Sequence, residues 1–188
     1  MMNMRGRLQR SSRVVVAVVA VIAGVLAMFA VSAQAFGVPP AYAPMVVEPV
    51  IVAGRSEFDL GPALARAKRE NKRLYVYLGA SDCPYCRRYE NFLGKNAGEL
   101  VPHFKPWIVV DLRSSLSTTA DKLVIRVGNS ALNYTEFQRS IGDQRTRMLV
   151  YPSVWLFDPQ LKPLMQMPAG NGTFETVDEQ LEILNLVQ

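Results

Sequence analysis

The sequence predicts an α/β fold, a central mixed β-sheet flanked by helices. Two apolar runs, Leu74–Leu78 and Trp107–Leu112, read as buried strands separated by a stretch of helical periodicity. Near the C-terminus, Ser153–Phe157 and Leu164–Met167 read as a hairpin, followed by a helix over Thr176–Val187. Two chemical landmarks sit at the strand ends. The chain's 2 cysteines form Cys83-Pro84-Tyr85-Cys86 after the first run, and Tyr151-Pro152 directly precedes the third.

Residues 1–35 read as an export signal. Arg5, Arg7, Arg10 and Arg13 make a basic start without acids, an apolar stretch follows from Val14 to Val31, and Ala33-Gln34-Ala35 supplies the A-x-A pattern. Cleavage after Ala35 is expected. An uncleaved membrane anchor is the alternative, because about 18 apolar residues also suffice to span a bilayer. Either way the remaining chain lies outside the cytoplasm, in the periplasm or tethered to the inner membrane. The formal net charge of +5 is largely a property of this segment. Its four arginines account for 4 of 21 basic residues, leaving 17 against 16 acids in residues 36–188. That balance gives no support to nucleic-acid binding, and the membrane enters only if the N-terminal segment is retained.

Residues 36–54, with Pro39, Pro40, Pro44 and Pro49, read as a Pro-rich linker in which Val46–Val52 could add an edge strand. Residues 55–188 are then one domain, large enough for a core without structural disulfides. Asp59 is placed to cap a helix with Pro62 in its first turn, running to Glu70 with Leu60, Leu64 and Ala67 on one face. From Pro84, Tyr85–Leu93 is helical, and Ala97–Phe104 reads as a further short helix. Trp107–Leu112 is most simply parallel to Leu74–Leu78 by the β-α-β rule. Between Leu112 and Arg147, helices are expected over Asn133–Ile141 and Thr119–Arg126.

Two thiols spaced C-x-x-C at a strand-to-helix junction are the minimal machinery of thiol–disulfide exchange. Two cysteines too close to staple a long loop, in an oxidising compartment, point to a working disulfide rather than a brace. Closed zinc coordination is disfavoured, since there is no second cysteine pair and the chain has 1 histidine, so no metal site is assigned. His103 reads as a surface residue, Tyr75, Tyr77, Trp107 and Trp155 as core, and Met165 and Met167 as strand packing. Asn171-Gly172-Thr173 reads as a turn.

The order of elements, together with Ala80-Ser-Asp-Cys-Pro-Tyr-Cys86, Ile108–Asp111 and Tyr151-Pro-Ser-Val-Trp-Leu-Phe-Asp158, resembles the thioredoxin superfamily, in particular secreted bacterial thioredoxin-like thiol–disulfide oxidoreductases. The likeness runs from about Ser56 to the C-terminus. It implies a thioredoxin-like fold with a helical insertion before the strand that follows Pro152, and a cis peptide bond at Pro152 facing the reactive sulfur. It implies Cys83 as the exposed attacking sulfur at a helix N-terminus, where backbone N–H groups favour a thiolate, and Cys86 as the buried resolving sulfur. Arg87 and Arg88 add positive charge nearby. Tyr151 and Pro152, with Pro84 and Tyr85, are the implied substrate-binding residues. The Pro-Tyr dipeptide, as in glutaredoxin-like sites, implies a more oxidising potential than thioredoxin's.

The sequence also departs from that pattern. Thioredoxins usually carry a buried acid six residues before the first cysteine, where this chain has Tyr77; the usual lysine partner aligns with Trp107. The proton of Cys86 must therefore use another group or water. Asp82 stands where many relatives have Trp and opposes a thiolate at Cys83. The resulting expectation is a thiol–disulfide oxidoreductase acting on cysteine-containing proteins, needing no cofactor and recycled by a membrane redox partner. Oxidant, reductant and isomerase directions stay open, and a non-catalytic interaction module of the cell envelope is the rival reading.

Overall fold

A computed structural model describes residues 36–142, 148–166 and 175–186. Residues 1–35, Asn171–Thr173, Met167 and Val187 lie outside the described residues. In chain order the strands are β1 (Met45–Val47), β2 (Val50–Val52), β3 (Arg55–Asp59), β4 (Arg73–Ala80), β5 (Trp107–Ser114), β6 (Leu123–Val127), β7 (Ser130–Asn133), β8 (Ser153–Phe157) and β9 (Pro163–Gln166). The helices are α1 (Gly61–Glu70), α2 (Pro84–Lys95), α3 (Ala97–Leu100), α4 (Tyr134–Ser140) and α5 (Val177–Leu186).

The central sheet has the order β1-β5-β4-β8-β9. β4 and β5 run parallel, from Arg73 opposite Trp107 to Ala80 opposite Ser114. β8 lies antiparallel on the other side of β4, with Leu74 opposite Phe157 and Leu78 opposite Ser153. This parallel core with an antiparallel C-terminal hairpin is a thioredoxin-like arrangement. β4 is buried on both faces, which is why its sequence is apolar throughout rather than alternating. Its alternate residues nonetheless enter different cores. Leu74, Val76 and Leu78 pack with Ile108, Val110, Leu112, Trp155 and Phe157, and with Ala63 and Ala67 of α1. Tyr75 and Tyr77 face Tyr89 and Leu93 of α2, Phe104 and Leu184.

A second mixed sheet, β2-β3-β6-β7, was not foreseen. Thr119–Arg126, expected as a helix, instead leads into β6. Leu123-Val-Ile-Arg-Val127 is dominated by β-branched residues, and Leu123, Val124 and Ile125 are buried. β3 supplies its parallel partner, Ser56 opposite Leu123. Among the described residues the insertion before Pro152 is thus a hairpin followed by a helix rather than helices alone. That helix, α4, is the expected one: Asn133 and Glu136 form a reciprocal capping box at its start.

Residues 36–54, expected as a linker, pack along the domain. Val38 and Tyr42 are buried, and the Tyr42 hydroxyl donates to the Leu93 carbonyl at 2.9 Å. The single edge strand expected over Val46–Val52 is split at Glu48-Pro49. β1 joins the central sheet beside β5, whereas β2 turns into the second sheet. Proline at the break has no N–H to continue a ladder. Ala53 and Gly54 close the β2–β3 hairpin with φ of 48° and 75°, the pair of positive values a type I′ turn requires. Asp59, expected as the cap of α1, stands one residue before its N-cap Leu60, and its Oδ1 accepts from the Gly61 N–H at 2.7 Å. Ala97–Phe104 is a short helix that tightens to 3-10 geometry over Val101–Phe104. Among the described residues no helix is long and apolar enough to cross a membrane.

Candidate functional site

β4 delivers the chain to the two thiols. After Ala80 a tight turn is held by the Ser81 N–H on the Ser114 carbonyl (3.0 Å) and the Cys83 N–H on the Ala80 carbonyl (3.2 Å). Cys83 is the N-cap of α2, in extended conformation, with Pro84 in the first helical position. Its Sγ accepts the Cys86 N–H at 3.1 Å, and the Sγ of Cys86 accepts the Ala80 N–H at 3.5 Å. Both cysteines are free thiols.

Cys83 is not the exposed sulfur expected from the sequence. It is 2% exposed, and Cys86 is fully buried. The reason is its setting: Sγ turns toward the helix's own N–H, inside a buried cluster shared with Ala80, Cys86, Tyr134 and Tyr151. Burial, foremost, and the adjacent Cys83 push the Cys86 thiol pKa well above the ordinary range.

The Tyr151-Pro152 bond is cis. Tyr151 is buried against the thiols, its hydroxyl paired with Ser114 Oγ at 2.7 Å, and burial raises its pKa to about 12. Of the four residues expected to bind substrate, Tyr151 and Pro152 are therefore buried, whereas Pro84 and Tyr85 are exposed at the start of α2. Asp82 is committed elsewhere, its Oδ1 accepting the Leu116 N–H at 2.8 Å. Arg87 donates to the Ser81 carbonyl (2.9 Å) and to Glu90 (3.3 Å), and Arg88 pairs with Glu175. His103 is exposed on the 3-10 turn, as expected of a surface residue.

Behind the thiols lies a buried polar cluster that the sequence reading did not assemble. Tyr77 donates to Glu90 Oε1 at 2.9 Å. Burial, then the Glu90 charge, raises the Tyr77 pKa far above normal. The ring folds back over Gly79, where a Cβ would stand 2.6–2.9 Å from its ring and hydroxyl atoms, so the bare Cα is what seats it. Glu90 was discoverable, because it follows Cys86 by four residues and must share its helix face.

Asp111, opposite Tyr77 in the β4–β5 register, is fully buried. Its Oδ2 accepts from the Val38 N–H and from Arg113 Nε, both at 3.2 Å, while Oδ1 has no hydrogen-bond partner among the described residues. Burial raises its pKa from 3.8 to about 6, against the lowering effect of Arg113. The folded state thus holds this proton in a pH range where the unfolded chain has released it. Asp111 therefore favours folding below pH about 4, and that advantage is lost as pH rises through about 6. Asp111→Asn is expected to stabilise the domain near pH 7 relative to its effect at pH 4, by on the order of 2–3 kcal/mol. Urea unfolding at both pH values checks this; a pH-independent difference between the two proteins would refute it.

No protein-family model matches the chain, and no curated protein does. Among solved structures, it is similar to a thioredoxin-fold protein from Helicobacter pylori at 20% identity and TM-score 0.39, covering 63% of this chain and 70% of that one. It is also similar to the exposed lipoprotein thioredoxin of Streptococcus pneumoniae at 19% identity and TM-score 0.37, covering 73% and 96% respectively.

Proposed function

We propose that this chain is a thiol–disulfide oxidoreductase acting on cysteine-containing proteins outside the cytoplasm, with Cys83 and Cys86 as its redox pair. The observation that carries the reading is the paired thiol geometry. Two free cysteines occupy the cap and first turn of α2, with Cys83 Sγ on the Cys86 N–H at 3.1 Å. A sulfur at that place faces unpaired helix N–H groups that stabilise negative charge. Cys83 attacks a substrate disulfide to form a mixed disulfide, and Cys86 displaces the substrate sulfur to close the Cys83–Cys86 bond. Oxidation of a substrate dithiol is the same sequence reversed. The substrate strand pairs with the backbone beside Pro152, and no cofactor is required. Recycling falls to a membrane redox partner, and export through residues 1–35 supplies the compartment.

The low exposure of Cys83 favours one other reading, a thioredoxin-like interaction module without catalysis. Trapping separates the two. Full-length Cys86→Ser, expressed with its export segment, is expected to accumulate mixed disulfides that reduction dissolves, while wild-type protein accumulates few. Partners that stay bound under reducing conditions, with no disulfide-linked species, would favour the module.

A further inference from the structure

Cys83 is buried, yet its chain neighbours Ser81, Asp82, Pro84 and Tyr85 are all exposed. The sulfur thus lies at the rim of the core, under its own turn, and a local shift of that turn brings it to solvent without parting the sheets. Two side chains tie the turn down. On one side Asp82 Oδ1 accepts the Leu116 N–H at 2.8 Å. The loop it grips is itself braced, with Ser115 Oγ paired to Ser117 Oγ at 2.8 Å and the Thr118 N–H on the Ser115 carbonyl at 3.0 Å. On the other side the Arg87 guanidinium donates to the Ser81 carbonyl at 2.9 Å. That guanidinium lies over the Phe36 ring, 5.1 Å from its centroid. The strap carrying Phe36 is fixed in turn on β5. The Val38 N–H donates to Asp111 Oδ2 at 3.2 Å, and Gly37, at φ 106°, passes so near that carboxylate that a Cβ would collide with it. β5 therefore supports both ties, through Asp111 and through the loop that follows Ser114.

Resting on the redox-pair reading above, we propose that Asp82 and Phe36 are positioning residues that latch the active-site turn shut over Cys83, Asp82 directly and Phe36 through Arg87. Neither touches the reacting atoms. Cys83 meets a substrate disulfide only when the turn opens, and opening breaks both ties. A protein substrate bound beside Pro152 offsets their loss with contacts of its own, and so holds the open turn. A small disulfide has no such contacts to offer. The latch thereby favours folded or extended polypeptides over small disulfides as partners of Cys83.

Ellman's reagent, a small disulfide, measures the latch. In full-length Cys86→Ser the one remaining thiol is Cys83. Its sulfur bonds to half of the reagent, the reagent's S–S bond breaks, and thionitrobenzoate leaves as a thiolate with the electron pair. Adding Asp82→Ala or Phe36→Ala to this background is expected to speed the reaction about three- to tenfold at pH 7, the worth of one hydrogen bond in the opening equilibrium. Asp82→Asn keeps an oxygen for the Leu116 N–H and should stay within about twofold of the parent although its charge is gone. Phe36→Tyr keeps the ring and should do the same. The rates should barely change with urea below the unfolding transition, because opening one turn exposes little surface. Asp82→Asn as fast as Asp82→Ala would assign the effect to charge and overturn the latch. So would unchanged rates in both alanine variants, or a rate that climbs with urea as steeply as global unfolding. The redox-pair reading fails separately: with both cysteines present, wild-type protein that keeps thionitrobenzoate bound instead of closing the Cys83–Cys86 disulfide would overturn it, whatever the latch rates.

Discussion

Cys83→Ser is expected to reduce disulfide exchange to background, a loss of about three orders of magnitude or more, in insulin reduction and in thiol oxidation alike. A serine hydroxyl is not ionised near neutral pH and forms no disulfide, so neither half of the exchange can begin. The position makes the test unusually clean. Cys83 is the N-cap of α2 and its sulfur already accepts the Cys86 N–H. Serine is a preferred N-cap, with an oxygen that accepts the same bond more strongly. The variant should therefore fold with a melting temperature equal to or slightly above wild type. Lost activity with retained stability can then be assigned to the sulfur itself. Substantial residual turnover would sink the mechanism, because the described residues hold no other sulfur nucleophile beside Cys86.

What was legible in the sequence, and what was not, follows from how far apart the partners lie. β4 and β5 are buried on both faces, so their apolar runs declare them, and the helix between them fixes their parallel relation. The thiols are declared by spacing. β3 is different: Arg55-Ser-Glu-Phe-Asp59 buries only Glu57 and Phe58 and has no local apolar pattern. It becomes a strand because Ser56–Asp59 pair with Leu123–Arg126, and the buried Glu57 carboxylate pairs with Arg126. No window of neighbouring residues contains that information, and its absence is why Thr119–Arg126 read as helix. The site divides the same way. Glu90 follows from helical spacing, but its junction with Tyr77 depends on a ring folded over Gly79. The burial of Cys83 depends on a cluster that includes Tyr151, beyond the entire insertion.

Trp155 is a main side chain tying the insertion to the central sheet, and its removal gives the largest expected stability effect. Trp155 lies on β8, opposite Val76 of β4, and is 1% exposed. Its ring meets Phe137 of α4 edge-on at 5.6 Å and Tyr134 at 6.3 Å, and Phe137 also contacts Phe157 at 6.2 Å. Trp155→Ala empties the place where α4, directly after the second sheet, packs on the first. The expected cost is about 3–5 kcal/mol, a large part of the roughly 5–15 kcal/mol that holds a domain folded. Trp155→Phe separates packing from polarity. The indole Nε1–H has no hydrogen-bond partner among the described residues, so phenylalanine removes a buried unsatisfied donor while keeping a ring. Its cost should be about 1 kcal/mol. Urea unfolding of the three proteins checks the ranking, and equal costs for Ala and Phe would contradict it. The Ala variant also retains a single tryptophan, Trp107, which packs in the opposite core with Tyr75. If Trp155 is the link between the two sheets, its removal should uncouple their unfolding. Trp107 fluorescence, reporting the central sheet alone, would then change at higher urea than the far-UV circular dichroism of the whole domain. Coincident transitions in that variant would mean that the sheets remain one cooperative unit, held through β3 and α1 rather than through Trp155.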